Sequence, residues 1–185
     1  RQMLELMELA QNQDKAANAT PAIETALKAN PASVPALMAQ AAAAEKKGDA
    51  KASRASYEKA LAQAPEFTPA KRGLAILLAG QPEEGKRALE FAMKAREAYP
   101  NDADLAKALG LILYRQGNYP RASSLLLESS RKRETDAEVM YFLGMAQRKQ
   151  KDLTAGNRSL QRALDLGLKP ELATEARQAL SSLQK

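Results

Sequence analysis

Along the chain the apolar residues gather in short stretches whose members recur three and four positions apart, the period of one helix face. In 171–185, Leu172, Ala176, Leu180 and Leu183 fall on one face, with Arg177, Gln178, Ser181 and Gln184 on the other. Met3, Leu4, Leu6, Met7 and Leu9 form an amphipathic stretch near the start. The longest apolar run, 73–80, is too short for a membrane span and reads as a buried helix. No segment alternates apolar and polar residues long enough to propose a strand, so the pattern predicts an all-α protein.

Proline, glycine and capping residues divide these helices. Asn30-Pro31, Ala64-Pro65 and Tyr99-Pro100 predict helix ends, because the residue before proline is pushed out of the α region. Gly48-Asp49, Gly80-Gln81-Pro82 and Gly117-Asn118 predict turns. Ser33 is expected to cap a helix reaching about 47, and Asp102 one running from 103 to about 116. Thr20-Pro21 predicts a late helix start, with a helix from about 14 and a kink at Pro21 as the alternative.

The stretch Tyr57-Glu58-Lys59-Ala60-Leu61 recurs. Its small residue returns at Ala26, Ala60, Ala95, Ser129 and Ala163, at spacings of 34, 35, 34 and 34. Gly110 and Gly144 are 34 apart, as are Tyr119 and Leu153. Such a period marks stacked supersecondary units. With Leu109-Gly110, Gly117-Asn118, Tyr119 and Ala122 in one unit, Gly48-Asp49, Tyr57, Ala60 and Pro65 in another, and Leu143-Gly144, Leu160 and Ala163 in a third, the chain resembles the tetratricopeptide-repeat family. It departs from that family at the large apolar position of the first helix, where Leu37, Lys71, Ala106 and Met140 stand and never Trp. One extra residue also lies near Gly80-Gln81-Pro82.

The resemblance implies a single right-handed α-α superhelix of about five helix-turn-helix repeats, 1–31, 32–65, 66–100, 101–134 and 135–168, with a capping helix at 170–185. Small residues such as Ala41, Ala75, Gly110 and Gly144 are expected where paired helices touch. The start, inside an amphipathic stretch, reads as a piece of a longer protein, whereas the end reads as a natural cap. The face carrying Leu4, Leu6 and Leu9 would meet a preceding repeat or stack on another copy.

In this family the first helices line a concave surface. The residues so placed are Met38, Arg72, Ile76, Lys107, Leu111, Tyr114, Tyr141, Met145 and Arg148, with Ala42 beside them. The surface is expected to hold a protein or peptide segment, with an acidic component suggested by its cations. Several of its apolar members would serve equally as packing between repeats. The family's carboxylate clamp needs Lys and then Asn on successive turns. The Asn position is here Glu8, Ala42, Ile76, Leu111 or Met145, so a clamp of that kind is not expected, although Arg72 and Lys107 could still pair an acidic side chain.

Composition narrows the chemistry. The 185 residues include 38 Ala, 8 aromatics, and no His, Cys or Trp. Disulfides, thiolate chemistry, His-based catalysis and His- or Cys-ligated metals are excluded, and neither a cofactor nor an enzymatic role is expected. Alanine favours helix and close helix approach. Glu83, Glu84, Asp102, Asp104, Asp136 and Glu138 sit near expected helix starts, where they complement the helix dipole rather than form a catalytic pair. The net charge of +6 permits an acidic partner without requiring one. The basic residues concentrate at Arg131-Lys132-Arg133, Arg148, Lys149, Lys151, Arg158 and Arg162. Nucleic-acid binding there is the second reading. It is weakened by the scarcity of interleaved aromatics, Tyr141 and Phe142 being the nearest. No targeting signal is visible, and the lack of Cys suits cytoplasm and periplasm alike. The family resemblance points to a bacterial scaffold, in secretion, exopolysaccharide or envelope assembly.

Overall fold

The computed structural model of the protein describes residues 16–182, with side chains from Thr20 onwards. Its α-helices in chain order are α1 Ala16–Ala29, α2 Val34–Lys46, α3 Ala50–Gln63, α4 Thr68–Leu78, α5 Gly85–Ala98, α6 Ala103–Arg115, α7 Tyr119–Ser130, α8 Ala137–Lys149, α9 Leu153–Asp165 and α10 Pro170–Ser181. Among the described residues there is no strand. The expected stacking face around Leu4, Leu6 and Leu9 lies outside the described residues, as do Glu8, Leu183 and Gln184. The chain divides into two compact units after Leu77, in the last turn of α4.

The helix boundaries follow the local chemistry. Ser33, Asp49, Asp102, Asn118, Asp136 and Asp152 each accept a backbone N–H of the first turn that follows them, satisfying donors the helix leaves open. Helices end at Ala29, Gln63 and Ala98, just before the residues preceding Pro31, Pro65 and Pro100. Gly48 and Gly117 have φ of +72° and +78°, a left-handed conformation that opens the turn into the next cap. The extra residue of the third repeat goes into a one-turn 3-10 segment, Pro82–Glu84, leading into α5.

The first helix differs from the favoured reading. It is already helical at Ala16 and carries Pro21 inside it, so Thr20-Pro21 does not begin it. The lost backbone donor at Pro21 is outweighed by burial of one face. Ile23, 3% exposed, packs with Leu27 on Ala39, Ala42 and Ala43 of α2. The Thr25 hydroxyl also donates to the Pro21 carbonyl at 2.8 Å.

In the first unit, α2 buries Ala36, Leu37, Met38, Ala39 and Ala41, and α3 packs on it. Ser56 donates to Gln40 at 2.9 Å and Tyr57 to Glu45 at 3.1 Å. The Tyr57 ring lies over Gly73 of α4 so closely that a Cβ there would clash with it. Lys71, at the family's large apolar position, is buried at 7% exposure with its Nζ 2.9 Å from Glu66 Oε2.

In the second unit the recurring small residues mark contacts. Ala95 and Ala163 are fully buried, and the Ser129 hydroxyl donates to the Ala103 carbonyl at 2.9 Å. A Cβ on Gly110 would stand 2.6 Å from Leu126, and one on Gly144 would stand 2.8 Å from the Gly156 carbonyl oxygen. Leu126, Val139 and Leu143 form one apolar cluster. Tyr141, Leu160, Ala163 and Ala176 form another, which joins α8, α9 and α10. The α10 face expected from the sequence is the packed one: Ala176 is buried, with Leu172 and Leu180 beside it, while Arg177, Gln178 and Ser181 are exposed.

Candidate binding face

The expected groove residues fall in both units. In the first, Met38 is buried at 7% exposure on α2, and Ile76 is half-buried on α4. Arg72, also half-buried on α4, lies close enough to the Tyr57 phenol to favour its ionised form. Burial and the neighbouring Glu45 outweigh that effect and leave the phenol pKa raised.

In the second unit six expected residues occupy two helices at matching positions. Lys107, Leu111 and Tyr114 stand four and three positions apart on α6, on one helix face. Tyr141, Met145 and Arg148 repeat that spacing on α8, one period further along the chain. The two helices touch. Leu111 and Tyr141 are buried at 5% and 3% exposure, whereas Lys107, Tyr114, Met145 and Arg148 are half-buried. Leu111 and Tyr141 therefore serve packing as well as any surface.

The aromatic residues form a chain of edge-to-face contacts. Tyr114 meets Tyr119 at 5.6 Å and Phe142 at 5.2 Å between ring centroids, and Phe142 meets Tyr141 at 5.0 Å. Such pairs contribute roughly 0.5–1.5 kcal/mol each beyond area burial. The Tyr141 hydroxyl donates to Glu175 Oε2 of α10 at 2.6 Å. Burial, and then the hydrogen bond and charge of Glu175, push the Tyr141 phenol pKa well up. Tyr114 is raised by burial and by neighbouring Tyr119 and Glu175. Both phenols stay protonated at neutral pH.

The cations of this face already have partners. Lys107 Nζ lies 3.0 Å from Asp136 and 2.7 Å from Glu138. Arg133 bonds Asp136 at 3.1 Å and also pairs with Asp104. Burial would raise the Asp136 pKa. The Lys107 hydrogen bond and charge, the Val139 amide and Arg133 together outweigh it and hold the carboxyl below its usual range. Arg148 donates to Asn157 and, at 3.0 Å, to Ser182. Lys132 donates to the Asn101 carbonyl at 2.7 Å. Lys132, Arg133 and Arg148 thus tie neighbouring elements together, and of the three only Arg133 meets carboxylates, those of Asp104 and Asp136. A cleft of about 660 Å³, lined in part by Lys132, Asp136, Glu138, Lys169 and Leu172, opens beside this network.

Tyr119, Phe142, Asp136, Glu138 and Glu175 belong to the face but not to the expected set. For Glu175 the signal was present, since it stands one full period after Tyr141, in the same register. Among the described residues no cluster of acidic side chains could hold a metal ion, and no helix is long and apolar enough to cross a membrane.

Among solved structures the fold is similar to the tetratricopeptide-repeat protein YrrB, described as having an unusual peptide-binding site. The identity is 21%, the match covers 89% of this chain and 84% of that one, and the TM-score is 0.66. It is similar to PilW, a widely conserved type IV pilus biogenesis factor, at 18% identity, 99% and 86% coverage and a TM-score of 0.68. It is also similar to MamA from Desulfovibrio magneticus RS-1, at 15% identity, 89% and 94% coverage and a TM-score of 0.66. No curated protein matches the chain. The tetratricopeptide-repeat profile matches residues 4–66, 71–136 and 108–173. With helix pairs recurring every 34 or 35 residues and small residues at their contacts, the chain belongs to the tetratricopeptide-repeat family, a fold that supports protein–protein interaction scaffolds.

Proposed function

We propose that the protein is a non-catalytic scaffold whose α6–α8 face receives a segment of a partner protein. One observation carries the reading: half-buried Tyr114, Phe142 and Met145 stand together on that face, flanked by charged groups. Apolar anchors bordered by polar groups are the arrangement that peptide-binding grooves use. The first-unit residues Met38, Arg72 and Ile76 enter the same proposal as a separate surface. An acidic partner would compete with Asp136 and Glu138 for Lys107, which these two carboxylates already engage. A setting in bacterial secretion, exopolysaccharide or envelope assembly is part of the proposal through the family resemblance, and a pilus biogenesis factor shares the fold.

The test is selection of displayed random peptides on the full chain, followed by affinity measurements. Enriched peptides are expected to bind a Tyr114→Ala, Met145→Ala double variant at least tenfold more weakly. They should bind Arg158→Ala, altered at an exposed α9 position, as they bind the parent. Circular dichroism checks that both variants remain helical. No enrichment, or equal binding by the double variant, would remove the α6–α8 face from the account.

A further inference from the structure

Glu175 is an exposed carboxylate on α10, and its bond from Tyr141 satisfies only part of its accepting capacity. A phenol hydroxyl leaves the carboxylate charge in place. Around the start of α8, Lys107 is matched by Asp136 and Glu138, and Arg133 by Asp104 and Asp136. Arg148 lies two turns beyond Tyr141, about 10 Å along the helix at 1.5 Å per residue, and its guanidinium is turned to Asn157 and Ser182. Half-buried Tyr114 stands close enough to Glu175 for the carboxylate charge to act on its phenol, and its ring pairs with Phe142 at 5.2 Å in a T-shaped arrangement.

We propose that Tyr114, Phe142 and Glu175 form a subsite for one basic side chain, arginine above lysine, of the partner segment. The proposal rests on the α6–α8 face being the binding face. Its chemistry is that of a guanidinium. The aromatic face attracts a cation through its quadrupole. The carboxylate accepts N–H donors in a paired geometry. A planar guanidinium meets both demands, whereas an ammonium is a compact, strongly hydrated point charge. An acidic side chain would face Glu175 with the same sign.

The test is an NMR titration of the full chain with N-acetyl-arginine amide, N-acetyl-lysine amide and N-acetyl-glutamic acid amide as separate probes. The arginine probe is expected to give saturable shifts centred on Tyr114, Phe142 and Glu175, with a weaker response to the lysine probe and none to the glutamic acid probe. Glu175→Gln keeps an acceptor for Tyr141 but removes the charge, and should weaken arginine binding at least threefold while the remaining spectrum overlays the parent. Absence of saturable shifts overturns the subsite, as do equal shifts from the acidic probe or unchanged binding by Glu175→Gln. These failures differ from failure of the broader reading. Displayed peptides that still need Tyr114 and Met145, yet carry no basic residue and ignore Glu175→Gln, would keep the face and reject the subsite.

Discussion

Gly144 of α8 and Gly156 of α9 face each other with no room for a methyl group. A Cβ on Gly144 would stand 2.8 Å from the Gly156 carbonyl oxygen and 2.9 Å from the Leu160 nitrogen. Both neighbours are backbone and cannot rotate away. Overpacking costs about 1–3 kcal/mol, with a backbone clash at the upper end, and alanine's better helix propensity offsets about 1 kcal/mol. Gly144→Ala is therefore expected to lower the unfolding free energy by roughly 1–2 kcal/mol in urea titration. Gly85, at the start of α5, has open space around its Cβ position and an ordinary helical backbone. Gly85→Ala should leave stability unchanged or raise it by up to about 1 kcal/mol. If both substitutions moved the midpoint in the same direction, crowding would not be the cause. At this scale the sequence was readable where local chemistry decides, as at Ser33, Asp102 and Gly144. It was silent on which acid meets which base. Lys107 finds its partners, Asp136 and Glu138, at the start of a helix in the next repeat, a choice made by packing.

Helix α8 gathers several charged groups at its start. Asp136 caps it through the Val139 amide and also receives Lys107 and Arg133. Its carboxyl pKa is lowered in the folded protein, so the stability it adds is complete above the ordinary aspartate value and is lost as pH falls through the folded value. Asp136→Asn keeps a capping oxygen and loses the charge. The variant should be less stable than the parent at pH 7, and the gap should close below about pH 4. Urea midpoints at neutral and acid pH measure it, and a gap of constant size would rule out the ionised carboxylate as its source. The basic triplet Arg131-Lys132-Arg133 teaches a related lesson. From sequence it reads as part of a basic concentration. Only Arg131 sits at the C-cap, while Lys132 and Arg133 reach back to Asn101 and Asp104 at the front of the repeat.

For the whole molecule, the repeat period was enough to foresee helix pairs, their turns and the close contacts at small residues, because each repeat solves one local packing problem. The first helix resisted, since Pro21 signals a start and only contact with α2 keeps it interior. The proposed binding face was half-legible. Lys107, Tyr114 and Arg148 follow from register, but Glu175 belongs to a helix read only as a cap. Burial is also uneven within the second unit. α6 buries eight of its thirteen residues and α10 two of its twelve, so local opening should be rarest in α6. Amide exchange by mass spectrometry is expected to show its slowest uptake across Leu105–Leu113 and faster uptake along α10. The reverse order would mean that burial does not set local stability here.

The bond from Tyr141 to Glu175 and that from Arg148 to Ser182 each join positions 34 apart. Helix α10 thus docks through the same positions that the first helix of a further repeat would use. A duplicated repeat, spliced between Leu166 and Pro170, would offer α10 an identical landing site and give the displaced helix pair its usual neighbour. Insertion of a whole repeat there is therefore expected to leave the contacts of α10 intact.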